Sequence, residues 1–177
     1  MQKLVSVVIP VYNQEELVLK AIDSIPESDN IEVIVIDDCS TDDTLYNIMD
    51  YKHKNLLVLV NHENKGVGYS VNRGLDEAKG KYVVLLGSDD YFYTNNFNAC
   101  LKELDGTDLV YFDLMINDGT IFHLDPSTKR NYCGSTKFIR REFLGNTRNP
   151  EEKRAREDWY FYQELLKKNP TEKYTDL

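Results

Sequence analysis

The residues that first suggest chemistry are two adjacent aspartates, Asp89 and Asp90, at the end of the stretch YVVLLGSDDYF. Four apolar residues lead into a glycine, a serine and the two carboxylates, and no basic residue lies beside them in the sequence. Neighbouring carboxylates repel each other, so the pattern predicts a cation at this point. Oxygen ligands favour Mg²⁺ or Mn²⁺, either of which would bridge the phosphates of a diphosphate. A turn that one aspartate merely caps is the alternative interpretation.

Polar residues also follow three other apolar runs. PVYNQEE ends the first run, DDCSTDDT follows the second and NHENKGVG follows the third. In an open α/β sheet, ligands bind beyond the carboxyl ends of the strands, near the point where the strand order reverses. The fingerprint GxGxxG is absent after the first run, and no P-loop occurs. A phosphate ligand at this edge would therefore be held by something other than a glycine-rich turn, and a metal ion fits that role.

The elements that must position these residues alternate between strands and helices. Four continuous runs rich in Val and Ile are typical of strands buried on both faces of a parallel sheet. These runs cover residues 4–11, 31–37, 56–60 and 82–87. A helix is predicted after a capping box of Asn13 and Glu16, a second after the capping residues Ser40 and Thr41, and a third over 69–79. The order β-α-β-α-β-α-β predicts a doubly wound α/β sheet.

The pattern changes in the second half of the chain. Residues 108–116 read as a strand, and the NDG turn at 117–119 predicts a hairpin with the run TIFHL that follows. Helices are predicted at 136–144 and at 157–168. No internal repeat or low-complexity linker interrupts the sequence. The prediction is therefore a single domain over residues 1–177.

Composition limits the classes of function. The 177 residues can form one domain with a sizeable core. The chain carries 30 acidic residues against 21 Lys and Arg, a net charge of −9, which excludes a general nucleic-acid binder. Three widely spaced cysteines without a CxxC pair fit the reduced thiols of a cytoplasmic protein. No apolar run approaches the roughly 20 residues that a membrane span needs.

Positive charge is concentrated in the segment 137–156, which has seven basic residues against three acidic ones. One interpretation is a solvated helix face. The other is a surface for an anionic ligand or for lipid headgroups, which would hold the protein peripherally at the inner face of a membrane. The sequence therefore predicts a cytoplasmic protein, and a peripheral one under the second interpretation.

Taken together, the polar segments resemble the motifs of the family 2 glycosyltransferases. SVVIPVYNQEE, EVIVIDDCSTDDT, NKGVGYSVNRGLDEAKGKYVVLLGSDD and REDWYFYQELL follow the family's order of an IPxYN strand end, a DDxSxDxT turn, NxGxxxxxNxG, a DxD-type metal motif and a later ED pair. The resemblance extends from residue 5 to residue 166. It implies a GT-A (Rossmann-like) open, mostly parallel sheet flanked by helices, with a small antiparallel acceptor-side zone. Residues 1–91 would be the nucleotide-binding half and 92–177 the acceptor-side half.

The resemblance also implies roles for individual residues. Asp90 and Asp89 match the metal motif, so Mn²⁺ or Mg²⁺ is the implied cofactor, and either aspartate can be the direct ligand. Asp158 matches the catalytic base of an inverting transfer, with Glu157 as its partner. Asp38 matches the aspartate that accepts a hydrogen bond from uracil. The nucleotide-binding residues that the resemblance implies are Pro10, Tyr12, Asn13, Asp38, Asn64, Gly66 and Asp89.

The implied activity is transfer of a sugar from a nucleotide sugar, here a UDP-sugar, to a saccharide or lipid-linked acceptor in cell-surface polysaccharide or oligosaccharide synthesis. Two departures favour an alternative, a non-catalytic sugar-nucleotide-binding or scaffold module. Gly87 stands where the common metal motif has an aspartate, and the chain stops soon after the catalytic helix, which suggests a C-terminal truncation. A third interpretation, a nucleotidyltransferase, lacks the basic glycine-rich first loop that such enzymes use.

Overall fold

The computed structural model describes residues 3–124, 136–152 and 156–177. Within these residues the chain forms nine strands and six helices. The strands are β1 (Val5–Val11), β2 (Ile31–Asp37), β3 (Leu56–Val60), β4 (Tyr82–Leu85), β5 (Leu109–Tyr111), β6 (Leu114–Met115), β7 (Ile121–Phe122), β8 (Lys137–Arg140) and β9 (Glu172–Tyr174). The helices are α1 (Leu17–Asp23), α2 (Thr44–Asp50), α3 (Val67–Glu77), α4 (Thr94–Lys102), α5 (Arg141–Leu144) and α6 (Glu157–Leu166).

The main sheet has seven strands in the order β3-β2-β1-β4-β8-β5-β9. Strands β1 to β4 run parallel, β8 is antiparallel to both β4 and β5, and β9 is parallel to β5. The chain moves outward from β1 to β3 and then crosses back to β4 on the other side of β1. This reversal puts the topological switch point between β1 and β4. The predicted open, mostly parallel sheet flanked by helices is confirmed, and the β6-β7 pair forms the small antiparallel zone.

Helices cover both faces of the main sheet, which explains the continuous apolar runs in its strands. Val7 and Ile9 belong to a buried cluster that includes residues of α1, α2 and α4. Val8, Ile34 and Ile36 point to the opposite face and belong to a second cluster, with residues of α3, α5 and α6. A strand that is buried on both faces gains from apolar side chains at every position, so it shows no polar alternation.

Helix α3 lies very close to the sheet at Gly74. A Cβ atom at this position would be 2.4 Å from Val8 Cγ1 and 2.7 Å from Ile36 Cδ1. Real side chains do not approach one another so closely, and both neighbours are buried in the strands beneath. Glycine therefore lets the α3 backbone pack directly on β1 and β2.

The helix predicted at 136–144 is wrong for most of its length. Residues Lys137–Arg140 form β8, and only Arg141–Leu144 are helical. Phe138 and Ile139 are buried on opposite faces of the sheet, and β8 pairs with both β4 and β5. Burial on both sides and two sets of strand hydrogen bonds outweigh the local helical pattern.

The predicted helix caps are also wrong. Asn13 has a left-handed φ of 53°, and its side chain bonds Thr41 in the neighbouring loop, while α1 begins only at Leu17, with Glu16 at its N-cap. Ser40 and Thr41 do not cap α2, which starts later along the chain. Ser40 instead accepts a hydrogen bond from the Asn13 N–H. These polar residues join two loops instead of starting helices.

The remaining elements match the predictions unevenly. The strand predicted at 108–116 is divided into β5 and β6, and β6 forms with β7 the hairpin that the NDG turn predicts. The helix predicted at 157–168 is α6 and ends at Leu166. Helix α4 and strand β9 have no counterpart in the prediction. No helix in the described ranges is long and apolar enough to cross a membrane.

The basic segment 137–156 makes several contacts within the fold. Arg140 pairs with Asp108 at 2.6 Å, and Arg148 pairs with Asp76 at 2.6 Å. The Lys137 side chain is buried beneath α6. Two further basic residues of the segment lie outside the described residues, Lys153 and Arg154. These contacts serve the fold, and both the membrane contact and the cytoplasmic location stay predictions.

Candidate active site

The loops after β1 and β2 are joined at the carboxyl edge of the sheet by Asn13. Its backbone N–H donates to Ser40 Oγ at 3.0 Å, and its side-chain oxygen accepts from the Thr41 N–H at 2.8 Å. Tyr12, the residue before it, is 43% exposed, so its ring is available to a ligand at this edge. Pro10 lies in β1, opposite Ile36 of β2. Pro10, Tyr12 and Asn13 thus lie at the end of β1, and their part in binding a nucleotide stays a prediction.

Asp38 is buried at the end of β2 and binds the loop that follows β3. Its Oδ2 accepts from the Gly66 N–H at 2.7 Å, and its Oδ1 accepts from the Lys65 N–H at 3.0 Å. Oδ1 also accepts from Asn61 Nδ2 at 2.5 Å. A carboxylate has about four acceptor positions, and three are used here. Asp38 therefore fixes the loop that follows β3 against the end of β2.

Asn61 is a site residue that the sequence prediction missed. Its side chain donates to Asp38 and to Ser70 Oγ at 2.9 Å, and its side-chain oxygen accepts from Arg73. The sequence does contain an indication of this residue, because Asn61 is the first polar residue after the third apolar run. Asn64, which the resemblance selects in the same loop, is exposed.

Asp89 and Asp90 lie in an exposed turn after β4, and the Asp90 N–H donates to the Gly87 carbonyl oxygen at 3.1 Å. A Cβ atom on Gly87 would be 2.8 Å from Asp90 Oδ2 and 3.0 Å from Asp89 Oδ1. The two carboxylates therefore converge on the space that a side chain at position 87 would occupy. Among the described residues no group of three or more His, Cys, Asp or Glu is arranged to hold a metal ion. The pair fits a cation whose other ligands come from a phosphate and water.

Glu157 and Asp158 are the first two residues of helix α6. This helix packs against the face of the sheet opposite to α1. The Asp158 Oδ1 accepts a hydrogen bond from the Trp159 N–H at 2.8 Å, and both acidic side chains are partly exposed. Negative charge in the first turn is favourable to the helix dipole, so the helix itself tolerates both carboxylates. Asp158 is thus an accessible carboxylate on a firmly packed helix.

Tyr162 fixes the position of α6 one turn beyond Asp158. Its hydroxyl is 2.6 Å from the hydroxyl of Tyr111 on β5, and Tyr111 also donates to Glu172 on β9. Burial, together with the hydrogen bonds to Glu172 and Tyr162, raises the pKa of Tyr111 far above its ordinary value. The Tyr111 hydroxyl therefore stays protonated and keeps its hydrogen bonds at any physiological pH.

A cavity of about 380 Å³ lies between the Asp89–Asp90 turn and the β6-β7 hairpin. Its inner wall is aromatic and includes Phe112 and Phe138. Cys100 also lines it, and burial raises the pKa of this thiol to about 11, so the thiol is protonated and apolar in character. A volume of this size is in the range of small-ligand pockets.

The rim of this cavity carries a polar cluster that centres on Asp113. Its carboxylate is 2.8 Å from His123 Nδ1 and accepts from the Tyr174 hydroxyl at 2.6 Å. Asp113 lines the cavity, while the His123 side chain is 67% exposed. The cavity thus combines an apolar wall with hydrogen-bonding groups at its mouth.

The fold is that of the GT-A glycosyltransferases. S. aureus TarS 1–349 in complex with UDP-GlcNAc superposes with a TM-score of 0.86 and 25% identity, over 98% of this chain and 56% of TarS 1–349. A mannosyltransferase from Pyrobaculum calidifontis, in complex with GDP-Man and Mn²⁺, shares the fold with a TM-score of 0.75 at 19% identity, over 99% of this chain and 55% of its own. Residues 6–163 match the model of glycosyl transferase family 2, and the chain belongs to this family.

Curated relatives agree with this membership. A teichuronic acid biosynthesis glycosyltransferase of Bacillus subtilis, TuaG, whose name is marked putative, is 30% identical over 95% of this chain and 74% of its own length. A PGL/p-HBAD biosynthesis glycosyltransferase of Mycobacterium bovis is 33% identical over 88% of this chain and 67% of its own. An uncharacterised glycosyltransferase of Rickettsia prowazekii is 37% identical over 62% of this chain, and the match covers only 35% of that protein.

The buried position of Asp38 leads to a stability prediction. Asp38→Asn keeps the shape of the side chain. It replaces one of the oxygens that accept from the loop N–H groups with an NH₂ group, which can only donate. We expect a loss of about 1–3 kcal/mol in the free energy of unfolding, measured by urea denaturation, because a buried N–H is left without a partner. Asp43→Asn is the matched control, because Asp43 is exposed and makes no capping hydrogen bond. Equal stabilities of the two variants would contradict the loop-fixing role.

Proposed function

We propose that this chain is the donor-binding and catalytic part of an inverting, metal-dependent glycosyltransferase that takes its sugar from a UDP-sugar. The observation that carries the proposal is the convergence of the Asp89 and Asp90 carboxylates above Gly87, at the carboxyl end of β4. Mg²⁺ is usually bound by one or two carboxylates together with the phosphates of the substrate. Two carboxylates beside the topological switch point therefore suit a Mg²⁺ or Mn²⁺ ion that also holds a diphosphate.

The donor side of the proposal depends on Asp38. Its remaining acceptor position suits the N3–H of a uracil ring, and cytosine has no such donor. The exposed ring of Tyr12 would pack against the base, with Pro10 of β1 and the loop residues Asn13, Asn64 and Gly66 around the nucleotide. The TarS structures with UDP and with UDP-GlcNAc support UDP as the nucleotide.

The transfer step depends on Asp158. Its carboxylate takes the proton from the acceptor hydroxyl while the oxygen attacks the anomeric carbon from the face opposite the diphosphate. Glu157, its neighbour in the first turn of α6, is the partner carboxylate. A bound Mn²⁺ or Mg²⁺ would neutralise the negative charge that builds up on the departing diphosphate. A single displacement of this kind needs no covalent enzyme intermediate.

The acceptor side of the proposal depends on the 380 Å³ cavity. Its aromatic wall next to the Asp89–Asp90 turn suits an apolar group attached close to the accepting sugar, as in a lipid-linked saccharide. Asp113 and its hydrogen-bonded partners at the rim suit the sugar hydroxyls. The names of the relatives, which refer to teichuronic acid and PGL/p-HBAD biosynthesis, support a role in making cell-surface polysaccharide or oligosaccharide.

A non-catalytic nucleotide-sugar-binding module is the second candidate. Gly87 favours it, because the common metal motif has a third carboxylate at this position. The retention of Asp38, the Asp89–Asp90 pair and Asp158 in one chain favours the enzyme.

The metal proposal predicts that UDP binds more tightly in Mn²⁺ than in EDTA, because the diphosphate and two carboxylates otherwise repel each other. Asp90→Asn or Asp89→Asn should remove the Mn²⁺ enhancement without unfolding the protein. Isothermal titration calorimetry with UDP measures the effect, and CDP serves as the comparison for the uracil contact. A charge-assisted hydrogen bond that Asp38 accepts from the uracil N3–H should favour UDP over CDP by about tenfold or more. Equal UDP affinity in both buffers would exclude the metal site.

The base proposal predicts a different pattern for Asp158→Asn. This variant keeps the shape of the side chain but cannot take a proton, so transfer should fall by roughly 10²–10⁴-fold while Mn²⁺-dependent UDP binding persists. Asp90→Asn, in contrast, should reduce UDP binding and transfer together. Release of UDP from a panel of UDP-sugars, with and without acceptors, measures transfer. An unchanged rate in Asp158→Asn would mean that the base lies elsewhere.

The acceptor proposal predicts that an octyl glycoside is a better acceptor than the same free sugar. Ile121→Ser, which removes an apolar side chain from the cavity, should raise the KM for the octyl glycoside about tenfold. Phe122→Ser is the matched control, because Phe122 is the next residue of β7 and is not among the residues that line the cavity. If the free sugar and the octyl glycoside react equally well, the cavity is not the acceptor site.

A further inference from the structure

Two exposed tyrosines lie side by side at the mouth of the 380 Å³ cavity. Tyr91 and Tyr93 both line this cavity, and they are 56% and 51% exposed. Their ring centroids are 5.7 Å apart, and the two ring planes meet at 66°. The Tyr91–Tyr93 pair therefore presents aromatic surface both to the solvent and to the cavity.

The residue between the two tyrosines explains why both rings point outward. Phe92 packs inward, with its ring centroid 4.7 Å from that of Phe97 and 5.9 Å from that of Phe112. The backbone is extended at Tyr93, and successive side chains of an extended chain point in opposite directions. With Phe92 in the core, its two neighbours are directed away from the core.

The pair is also attached firmly to the rest of the fold. The Phe92 N–H donates to Ser24 Oγ at 3.1 Å, and the Thr94 hydroxyl donates to the Ser24 carbonyl oxygen at 3.3 Å. Ser24 is the C-cap residue of α1, so these bonds fix the segment to the end of that helix. A surface that is held in place before a ligand arrives loses little conformational freedom on binding.

The position of the pair relates it to the reacting end of the acceptor. Tyr91 directly follows Asp90 in the sequence, so the pair adjoins the proposed metal turn. The accepting hydroxyl must come close to the diphosphate that this metal would hold. The sugar that carries the hydroxyl is therefore expected at the mouth of the cavity, between the Tyr91–Tyr93 pair and Asp113, which lines the same cavity.

The chemistry of this mouth suits one class of sugar. A pyranose ring with equatorial hydroxyls has C–H groups on its two faces and hydroxyls around its edge. The face of an aromatic ring carries partial negative charge, which attracts the C–H groups. The same sugar can therefore place one face against the tyrosine rings while its edge hydroxyls reach the Asp113 carboxylate.

We propose that the Tyr91–Tyr93 pair binds the accepting sugar, and that this sugar is a pyranose with equatorial hydroxyls whose C–H face packs on the two rings. The inference rests on the proposed acceptor role of the cavity. It divides the acceptor between two surfaces: the apolar interior takes the aglycone, and the pair takes the sugar. Both tyrosines act as specificity residues and take no part in proton transfer.

Methyl and octyl β-D-glucopyranoside separate these two contacts, because they share the sugar and differ only in the apolar chain. The double variant Tyr91→Ala/Tyr93→Ala should raise the KM for both glycosides by about tenfold. Ile121→Ser, in contrast, should raise the KM for the octyl glycoside alone. Tyr91→Phe/Tyr93→Phe keeps both rings and should recover most of the loss. Tyr46→Ala is the matched control, because Tyr46 is 71% exposed and belongs to α2.

Binding of the sugar can be measured without any transfer. Saturation-transfer difference NMR of methyl β-D-glucopyranoside, with UDP and Mg²⁺ present, reports which sugar protons contact the protein. In Tyr91→Ala/Tyr93→Ala the signals of the ring C–H protons should weaken about twofold or more, and Tyr46→Ala should leave them unchanged. The affinity for UDP should stay within about twofold of the wild type in both variants, because neither change touches the nucleotide loops.

Several results would overturn the inference. One is a double alanine variant with wild-type KM values and wild-type sugar signals. A rise in KM for the octyl glycoside alone would assign the rings to the aglycone, and an equal loss in the double phenylalanine variant would assign binding to the hydroxyls. Absence of any sugar signal in the wild type would exclude this class of sugar. Should the double variant fail to fold, Tyr93→Ala alone is judged by the same measurements.

Failure of the proposed function would be seen separately. If the free sugar and the octyl glycoside react equally well, the cavity is not the site of the aglycone, yet the sugar signals still depend on the two rings. If the protein transfers no sugar at all, the NMR comparison between the double alanine variant and Tyr46→Ala still decides whether the pair binds a pyranose.

Discussion

The site depends on how closely α3 lies on the sheet as the chain crosses from β3 to β4. This distance is possible because Gly74 has no side chain above Val8 and Ile36. If α3 lay farther from the sheet, Gly66 would move away from Asp38, which accepts from its N–H. Asn72 would move away from the segment before α6, to which it is hydrogen-bonded. One close backbone contact in the core therefore places the loop after β3 and the segment 149–151 relative to each other.

The sequence and the structure lead to different interpretations of Gly87. As a departure from the common DxD-type motif, it counts against a metal site. In the structure, the Asp89 and Asp90 side chains turn into the space that a side chain at position 87 would take. Two carboxylates that meet there repel each other less than three would, which matters in a chain of net charge −9. The smaller charge is compatible with a cation that takes its other ligands from a diphosphate.

Elements that the local sequence pattern decides could be predicted, whereas elements that contacts between distant segments decide could not. Strands β2 and β3 have the predicted bounds because burial on both faces leaves an uninterrupted apolar run. The segment 136–144 was predicted incorrectly because its conformation is decided by β4 and β5, which are far away in the sequence. The same holds for the site. Adjacent residues such as Asp89 and Asp90 stand out in the sequence as a candidate site, whereas the bonds from Asn72 to Asn149 span 77 positions and leave no local signal.

The two parts of the sheet differ in how their strands are connected. From β1 to β4, each strand follows its predecessor through one helix. Beyond β4, the strand order departs from the chain order, and polar pairs join the elements: Tyr111 with Tyr162, and Asp108 with both Arg140 and Thr171. Polar pairs require correct geometry on both sides, so each of them constrains the two elements that it joins. These three pairs involve neither Asp38 nor the loop that it holds.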